Sequence, residues 1–205
     1  MTHIKTSQFV KSSASYLQCP NQNVPEIALI GRSNVGKPSL INMLLERNHL
    51  AKVSGRPGKT QLINHFLVDG AWHLVDLPGY GWAKVSKKQR QQWMPMVKQY
   101  LLRRAQLHSV LVLLDIRLPP QKIDLAFINW LGESKVPFAL IFTKADKESK
   151  QQAQRNQVAF QKALHETWEE LPKIMVTSAK DGTGKEEVLK YILRTALTRS
   201  TSSNT

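Results

Sequence analysis

One cysteine, Cys19, stands among the 205 residues, so no internal disulfide can form. That usage predicts a reducing, cytoplasmic setting. No apolar run reaches the roughly 18 residues that a membrane helix needs. The opening residues, MTHIKTSQFVKSS, hold no apolar stretch like that of a secretory signal, and no membrane partner is expected. The six histidines show no metal-ligand spacing and read as surface or half-buried structural residues. Acidic residues are also scarce: 15 Asp+Glu face 29 Lys+Arg, a net charge of +14. Between Leu77 and Leu114 there is none at all, yet Lys84, Lys87, Lys88, Arg90, Lys98, Arg103 and Arg104 lie there. This imbalance favours a polyanionic partner and makes those seven residues candidate RNA contacts. A solvated helix face is the plainer reading of the same pattern.

Hydrophobic residues make up 41% of the chain, enough for a packed domain. EIALIG is a short apolar run ending in glycine and reads as a buried strand, followed by SLINMLLER with helical spacing. QLINHFLV and AWHLVDLPG are β-rich runs on either side of Asp69-Gly70, a strong hairpin signal. SVLVLLD, PFALIFTK and the shorter KIMVTSA suit parallel strands covered on both faces. Helices are expected at about 86–107, with Pro95 kinking or interrupting it, and at about 122–133, 148–167 and 184–198. The fold class is α/β. It comprises three layers, with a mostly parallel six-stranded sheet, one antiparallel strand and helices on both faces. Residues 1–24 read as an extension, 25–198 as a single α/β domain and 199–205 as a polar tail. Ligands in such sheets bind at the carboxyl ends of the strands, so chemistry is expected just after each apolar run.

Four such ends carry signals. Gly31, Arg32, Ser33, Asn34, Val35, Gly36, Lys37, Pro38 and Ser39 form a glycine-spaced loop entering a helix. Its amides and the helix N-terminus suit phosphate, and Lys37 adds a full charge. A serine or threonine whose hydroxyl holds magnesium belongs at position 38; the chain has Pro38 instead. Asp76, Leu77, Pro78 and Gly79 end the hairpin; Asp76 can hold magnesium through water and the Gly79 amide can face a γ-phosphate. Thr143, Lys144, Ala145 and Asp146 follow the next strand. Guanine carries two donors on one edge that one carboxylate, Asp146, can accept, whereas adenine would leave that carboxylate unpaired. The Lys144 stem can lie against the base. Thr177, Ser178 and Ala179 close the set, with an amide near Ala179 in reach of the guanine O6. Each signal alone also fits an ordinary strand-ending turn; their joint order is what makes the set specific.

GRSNVGK, SGRPGKTQ, VDLPGYGWAKVS, TKADK and TSAKDGTG together resemble the EngB/YsxC group of bacterial ribosome-assembly GTPases. These are translation-factor-like P-loop GTPases. The resemblance covers residues 25–198. It implies GTP and GDP as ligands and ribosomal RNA or a large-subunit precursor as partner. It also implies a need for the protein in cell division and septation; a monomer is expected. It makes Thr60 a magnesium ligand beside Asp76. Gly58, Lys59, Thr60, Gln61 and Leu62 become a loop that closes over the nucleotide, and Lys37, Thr60 and Gly79 the catalytic set. Tyr80 stands where Ras-like enzymes hold a water-orienting glutamine, and Asn34 stands where related enzymes hold potassium. A local hydrogen bond is the equal alternative for Asn34. Pro38 opens a second reading: a nucleotide-dependent module whose hydrolysis is impaired. A P-loop kinase, the third possibility, is disfavoured by TKAD with TSAK.

Overall fold

A computed structural model of the chain describes residues 3–47, 50, 62–80 and 87–198, with backbone only for 87–93 and 197–198. Seven strands and five α-helices follow one another among the described residues: β1 (Ser7–Ser13), β2 (Glu26–Gly31), α1 (Lys37–Leu44), β3 (Ile63–Val68), β4 (Trp72–Asp76) and α2 (Lys87–Arg103) come first. They are followed by β5 (Leu107–Asp115), α3 (Lys122–Glu133), β6 (Phe138–Thr143), α4 (Lys150–His165), β7 (Ile174–Val176) and α5 (Lys185–Thr198). The strands form a single sheet in the order β1-β3-β4-β2-β5-β6-β7. β4, β2, β5, β6 and β7 run parallel, and β3 alone opposes them, pairing antiparallel with β4 and β1.

The apolar runs become central strands because both faces are covered. β2 is buried at all six residues. Ala28 and Ile30 face a core shared with Val97, Tyr100 and Leu101 of α2, Phe127, Ile128 and Leu131 of α3, and Phe160 and Leu164 of α4. Ile27 and Leu29 face the opposite core, with Leu40, Ile41 and Leu44 of α1 and Val188, Leu189 and Ile192 of α5. The period-two alternation of a strand thus divides one run between two helical layers.

The sheet has seven strands rather than six. The additional one, β1, lies on the edge and is mostly exposed, so it lacks the apolar signature used to find the others. Its anchor is polar: the backbone N–H groups of Lys5 and Thr6 donate to Asp69 Oδ1 at 2.9 and 2.7 Å. Asp69 is therefore both turn and anchor. With φ values of 50° and 65°, Asp69 and Gly70 make the primed turn that suits a hairpin. The helix α2 runs through Pro95 without a break, the ring being exposed and the flanking Val97, Tyr100 and Leu101 buried.

Candidate nucleotide-binding site

The carboxyl ends of β2, β4, β6 and β7 converge as the strand order requires. Gly31 lies tightly against the neighbouring strand: a Cβ there would stand 2.8 Å from the Leu113 carbonyl oxygen and 2.9 Å from Val35 Cγ1. Asn34 and Gly36 turn with φ of 62° and 100°, so the loop coils back before α1 starts at Lys37. Pro38 sits in the first turn of α1, where a helix tolerates proline, and the Leu40 N–H donates to the Gly36 carbonyl at 3.0 Å. The ring deprives this helix end of one amide donor and supplies no oxygen.

Lys37 reaches from α1 to the end of β4. Its Nζ donates to Asp76 Oδ1 and, at 2.8 Å, to the Leu77 carbonyl, with both charged side chains buried. On the β6 side, Thr143 donates its hydroxyl to the Val35 carbonyl at 2.6 Å, tying the glycine-spaced loop to the neighbouring strand end. Lys144, at φ 63°, reaches the same loop: its Nζ donates to the Asn34 carbonyl and to Asp115 Oδ2, the latter at 2.7 Å. Ser178 donates to Asp146 Oδ1 at 2.9 Å. Asp146 Oδ2 is buried without a hydrogen-bond partner among the described residues, with Lys147 Nζ 3.7 Å away. Gly36, Ser39, Thr143, Lys144, Asp146, Thr177, Ala179 and Lys180 are among the residues lining a cavity of about 340 Å³. That volume is in the range of small-molecule sites.

Asp115, Arg117 and Asp124, which the strand-end signals do not include, belong to this neighbourhood. Asp115, at the end of β5, accepts from Arg117 N, Nε and Nη2 at 3.2, 2.8 and 2.7 Å as well as from Lys144. Burial acts to raise its carboxyl, but the hydrogen bonds from Arg117 and Lys144 prevail and hold it at about 2. Arg32 Nε lies 3.1 Å from Asp124 Oδ1 of α3, whose carboxyl burial pushes up against the pull of Arg32. Tyr80 is 3% exposed, stacked on Phe127 at a centroid distance of 4.3 Å, with its phenol pushed up by burial and by Asp124. It is thus packed on α3 instead of standing in the cavity. The rule that located the other strand ends would have found Asp115, since it closes the SVLVLLD run. Nothing local in the sequence distinguishes Asp124.

At the opposite end of β2, Glu26 is fully buried. It accepts from Tyr100 Oη at 2.7 Å and from Arg104 Nε and Nη2 at 2.9 and 2.6 Å, with His65 Nε2 at 3.4 Å and His73 Nδ1 at 3.6 Å. Two expectations are corrected here. His65 and His73 are core residues and neither surface nor half-buried, because Glu26 gives them a polar neighbour inside. Arg104 is not on the basic surface: its guanidinium turns inward to Glu26 and to the Pro20 carbonyl at 2.6 Å. Of the other candidate RNA contacts, Arg103 is exposed and Lys98 Nζ lies 4.7 Å from the centre of the Trp130 ring. Gly58, Lys59, Thr60, Gln61 and Lys84, and the side chains of Lys87, Lys88 and Arg90, lie outside the described residues.

The expected magnesium can be tested against the donors described. Asp76 is the carboxylate at the end of β4, and it is bonded to Lys37; position 38 offers no side-chain oxygen. Among the described residues no group of three or more His, Cys, Asp or Glu side chains is placed to hold a metal ion. These donors alone do not fit a magnesium site.

Comparison with known proteins bears on the family and the fold. The family described as "50S ribosome-binding GTPase" matches residues 26–144. The probable GTP-binding protein EngB of Porphyromonas gingivalis is 52% identical over 189 residues, covering 92% of this chain and 94% of its own. That of Flavobacterium psychrophilum is 53% identical over 190 residues, covering 92% and 93%. A crystal structure of a probable GTP-binding protein engB superposes with a TM-score of 0.69 at 21% identity, over 83% of this chain and 98% of its own. The P-loop GTPase fold, the joint order of the strand-end motifs and this degree of identity place the chain in the EngB family of GTP-binding proteins.

Proposed function

We propose that the cavity binds GTP and GDP and that the chain acts as a GTP-dependent switch on the large ribosomal subunit or its precursor. The observation that carries the nucleotide reading is Asp146. Ser178 fixes its Oδ1, while Oδ2 remains buried without a hydrogen-bond partner beside the cavity. An unpartnered buried carboxylate oxygen is costly unless a ligand supplies donors, and the guanine edge supplies two. The phosphates would lie along Gly31 to Ser39 at the start of α1, with the Lys37 charge beside them and Gly79 near the γ-phosphate. In this reading Thr177 and Ala179 flank the base, and the closing loop from Gly58 to Leu62 brings Thr60. The family description supports the ribosomal partner. We assign RNA contact to Lys84, Lys87, Lys88, Arg90, Lys98 and Arg103, and place the protein in the cytoplasm as a monomer. A need for the protein in cell division and septation belongs to the same reading. Potassium beside Asn34 belongs to the same reading.

A second reading differs only in turnover: the chain binds nucleotide and hydrolyses it poorly. Pro38 favours it, together with the engagement of Asp76 by Lys37. Equilibrium titrations with GTP, GDP and ATP test the first claim, and preference for the guanine nucleotides is the expected result. Equal binding of ATP would overturn it. Single-turnover GTP hydrolysis separates a working switch from the impaired module.

A further inference from the structure

Lys144, like Thr143 beside it, joins the base side of the cavity to the phosphate loop, and its long side chain must be held there. A lysine stem has several rotatable bonds and gives up much rotamer freedom when fixed. Here its ammonium is held by two acceptors, the Asn34 carbonyl and Asp115 Oδ2. The carboxylate is itself braced: Arg117 donates Nη2 to the same oxygen that Lys144 uses, and Nε and the backbone N–H to the other. Asp115 sits opposite Thr143 in the parallel pairing of β5 with β6, so the sheet register sets it one residue from Lys144 across the ladder. It is 8% exposed and is not among the residues lining the cavity.

We propose that Asp115 is a positioning residue for nucleotide binding. It acts through Lys144, fixing the stem as a wall for the base and the ammonium as a tether on the phosphate loop at Asn34. The inference rests on the nucleotide reading above and adds a determinant outside the cavity. With the carboxylate neutralised, Lys144 loses its charged anchor and the ammonium can swing toward solvent. The stem then no longer defines the slot, and the loop carbonyl loses its tether. Because Asp115 lies outside the cavity, its whole effect should vanish when Lys144 has no ammonium to hold.

A double-mutant cycle measures this directly. GDP dissociation constants are compared for the unaltered chain, Asp115→Asn, Lys144→Met and the double variant. Asp115→Asn is expected to weaken GDP about tenfold to a hundredfold, the scale of a lost charge-assisted hydrogen bond. In the Lys144→Met background the same change should cost less than about twofold. Additive losses would show that Asp115 acts elsewhere, through general stability, and overturn the inference; so would unaltered GDP binding by Asp115→Asn. If Asp115→Asn does not fold by circular dichroism, Asp115→Glu carries the cycle. It keeps the charge but displaces the anchor, and its loss should again vanish with Lys144→Met. Failure of the unaltered chain to bind GDP overturns the parent reading and this inference together. GDP binding with an additive cycle overturns this inference alone.

Discussion

At the scale of single residues, the proposed nucleotide reading turns on two positions. Asp146 has one oxygen occupied by Ser178 and another awaiting donors. Replacing it with asparagine keeps the size, removes the charge and turns an NH2 toward the guanine donors. Asp146→Asn should therefore lose about 2–4 kcal/mol of GTP affinity, roughly thirty- to a thousandfold, in an equilibrium titration. An unchanged dissociation constant would remove Asp146 from guanine recognition. Pro38 is the other position. Its ring fits the first turn of α1, so the helix forms, while the hydroxyl and one amide are gone. Ser39 does not replace them, since one residue further along a helix turns a side chain by about 100°. Pro38→Ser should raise Mg2+ affinity at least about tenfold, by analogy with the worth of metal-site partners. It should also raise the single-turnover rate at limiting Mg2+. Equal rates for the two proteins at limiting Mg2+ would show that position 38 is not the bottleneck.

At the scale of elements, legibility followed burial. β2, β5 and β6 are apolar runs with polar ends, and the rule that chemistry follows the run led to Lys37, Asp76, Asp146 and Ser178. The same rule reaches Asp115, but its meaning depends on Arg117 and Lys144 folding onto it, which spacing does not reveal. β1 left no trace because an exposed edge strand needs no apolar pattern. The Glu26 cluster was hidden for a different reason: its members come from β2, β3, β4 and α2, and only the sheet order β3-β4-β2 brings them together. That cluster predicts a pH response. Burial acts to raise the Glu26 carboxyl, but the adjacent His65 and His73 rings and the hydrogen-bonded Arg104 guanidinium prevail and hold it far below its usual 4.5. A carboxyl lowered in the folded state binds fewer protons than in the unfolded chain. Its stabilisation is thus full above about pH 4.5 and is lost as the pH falls below it. His65 is lowered from 6.5, chiefly by burial, so the unfolded chain takes up its proton first and stability also declines below about pH 6.5. Denaturant melts should weaken steadily from pH 7 to 4. Glu26→Gln should be less stable at pH 7 by about 3–5 kcal/mol, the cost of breaking a buried charge pair. Its stability should fall less steeply below pH 4.5, and an identical slope would assign the acid response to other groups.

At the scale of the whole molecule, the excess of positive charge needs a counterpart. A net charge of +14 does not help a compact fold, because like charges repel, and it raises the on-rate for a polyanion. The charge is segregated: the stretch without acids runs from the end of the Asp76–Gly79 turn through α2 and into β5. α2 is fixed at its far end, where Tyr100 and Arg104 bond Glu26. Its first turn holds Lys87 and Lys88, with Arg90 next, nearest in sequence to the turn assigned to γ-phosphate sensing. A helix anchored at its far end, whose start follows in sequence the turn proposed to sense the γ-phosphate, would suit the coupling of nucleotide state to RNA contact. Each phosphate contact contributes about −0.7 to −0.9 to the slope of log K against log salt. Reversing Lys87, Lys88 and Arg90 to glutamate should therefore weaken binding of the GTP-loaded protein to ribosomal RNA or large subunits. It should also flatten that slope by about 2–3 units, while leaving GTP affinity unchanged. Sedimentation of protein with large subunits across a salt series measures both. Loss of binding with the slope preserved would mean that these residues support the surface without touching phosphate. Binding and slope both untouched would place the RNA contact on another face.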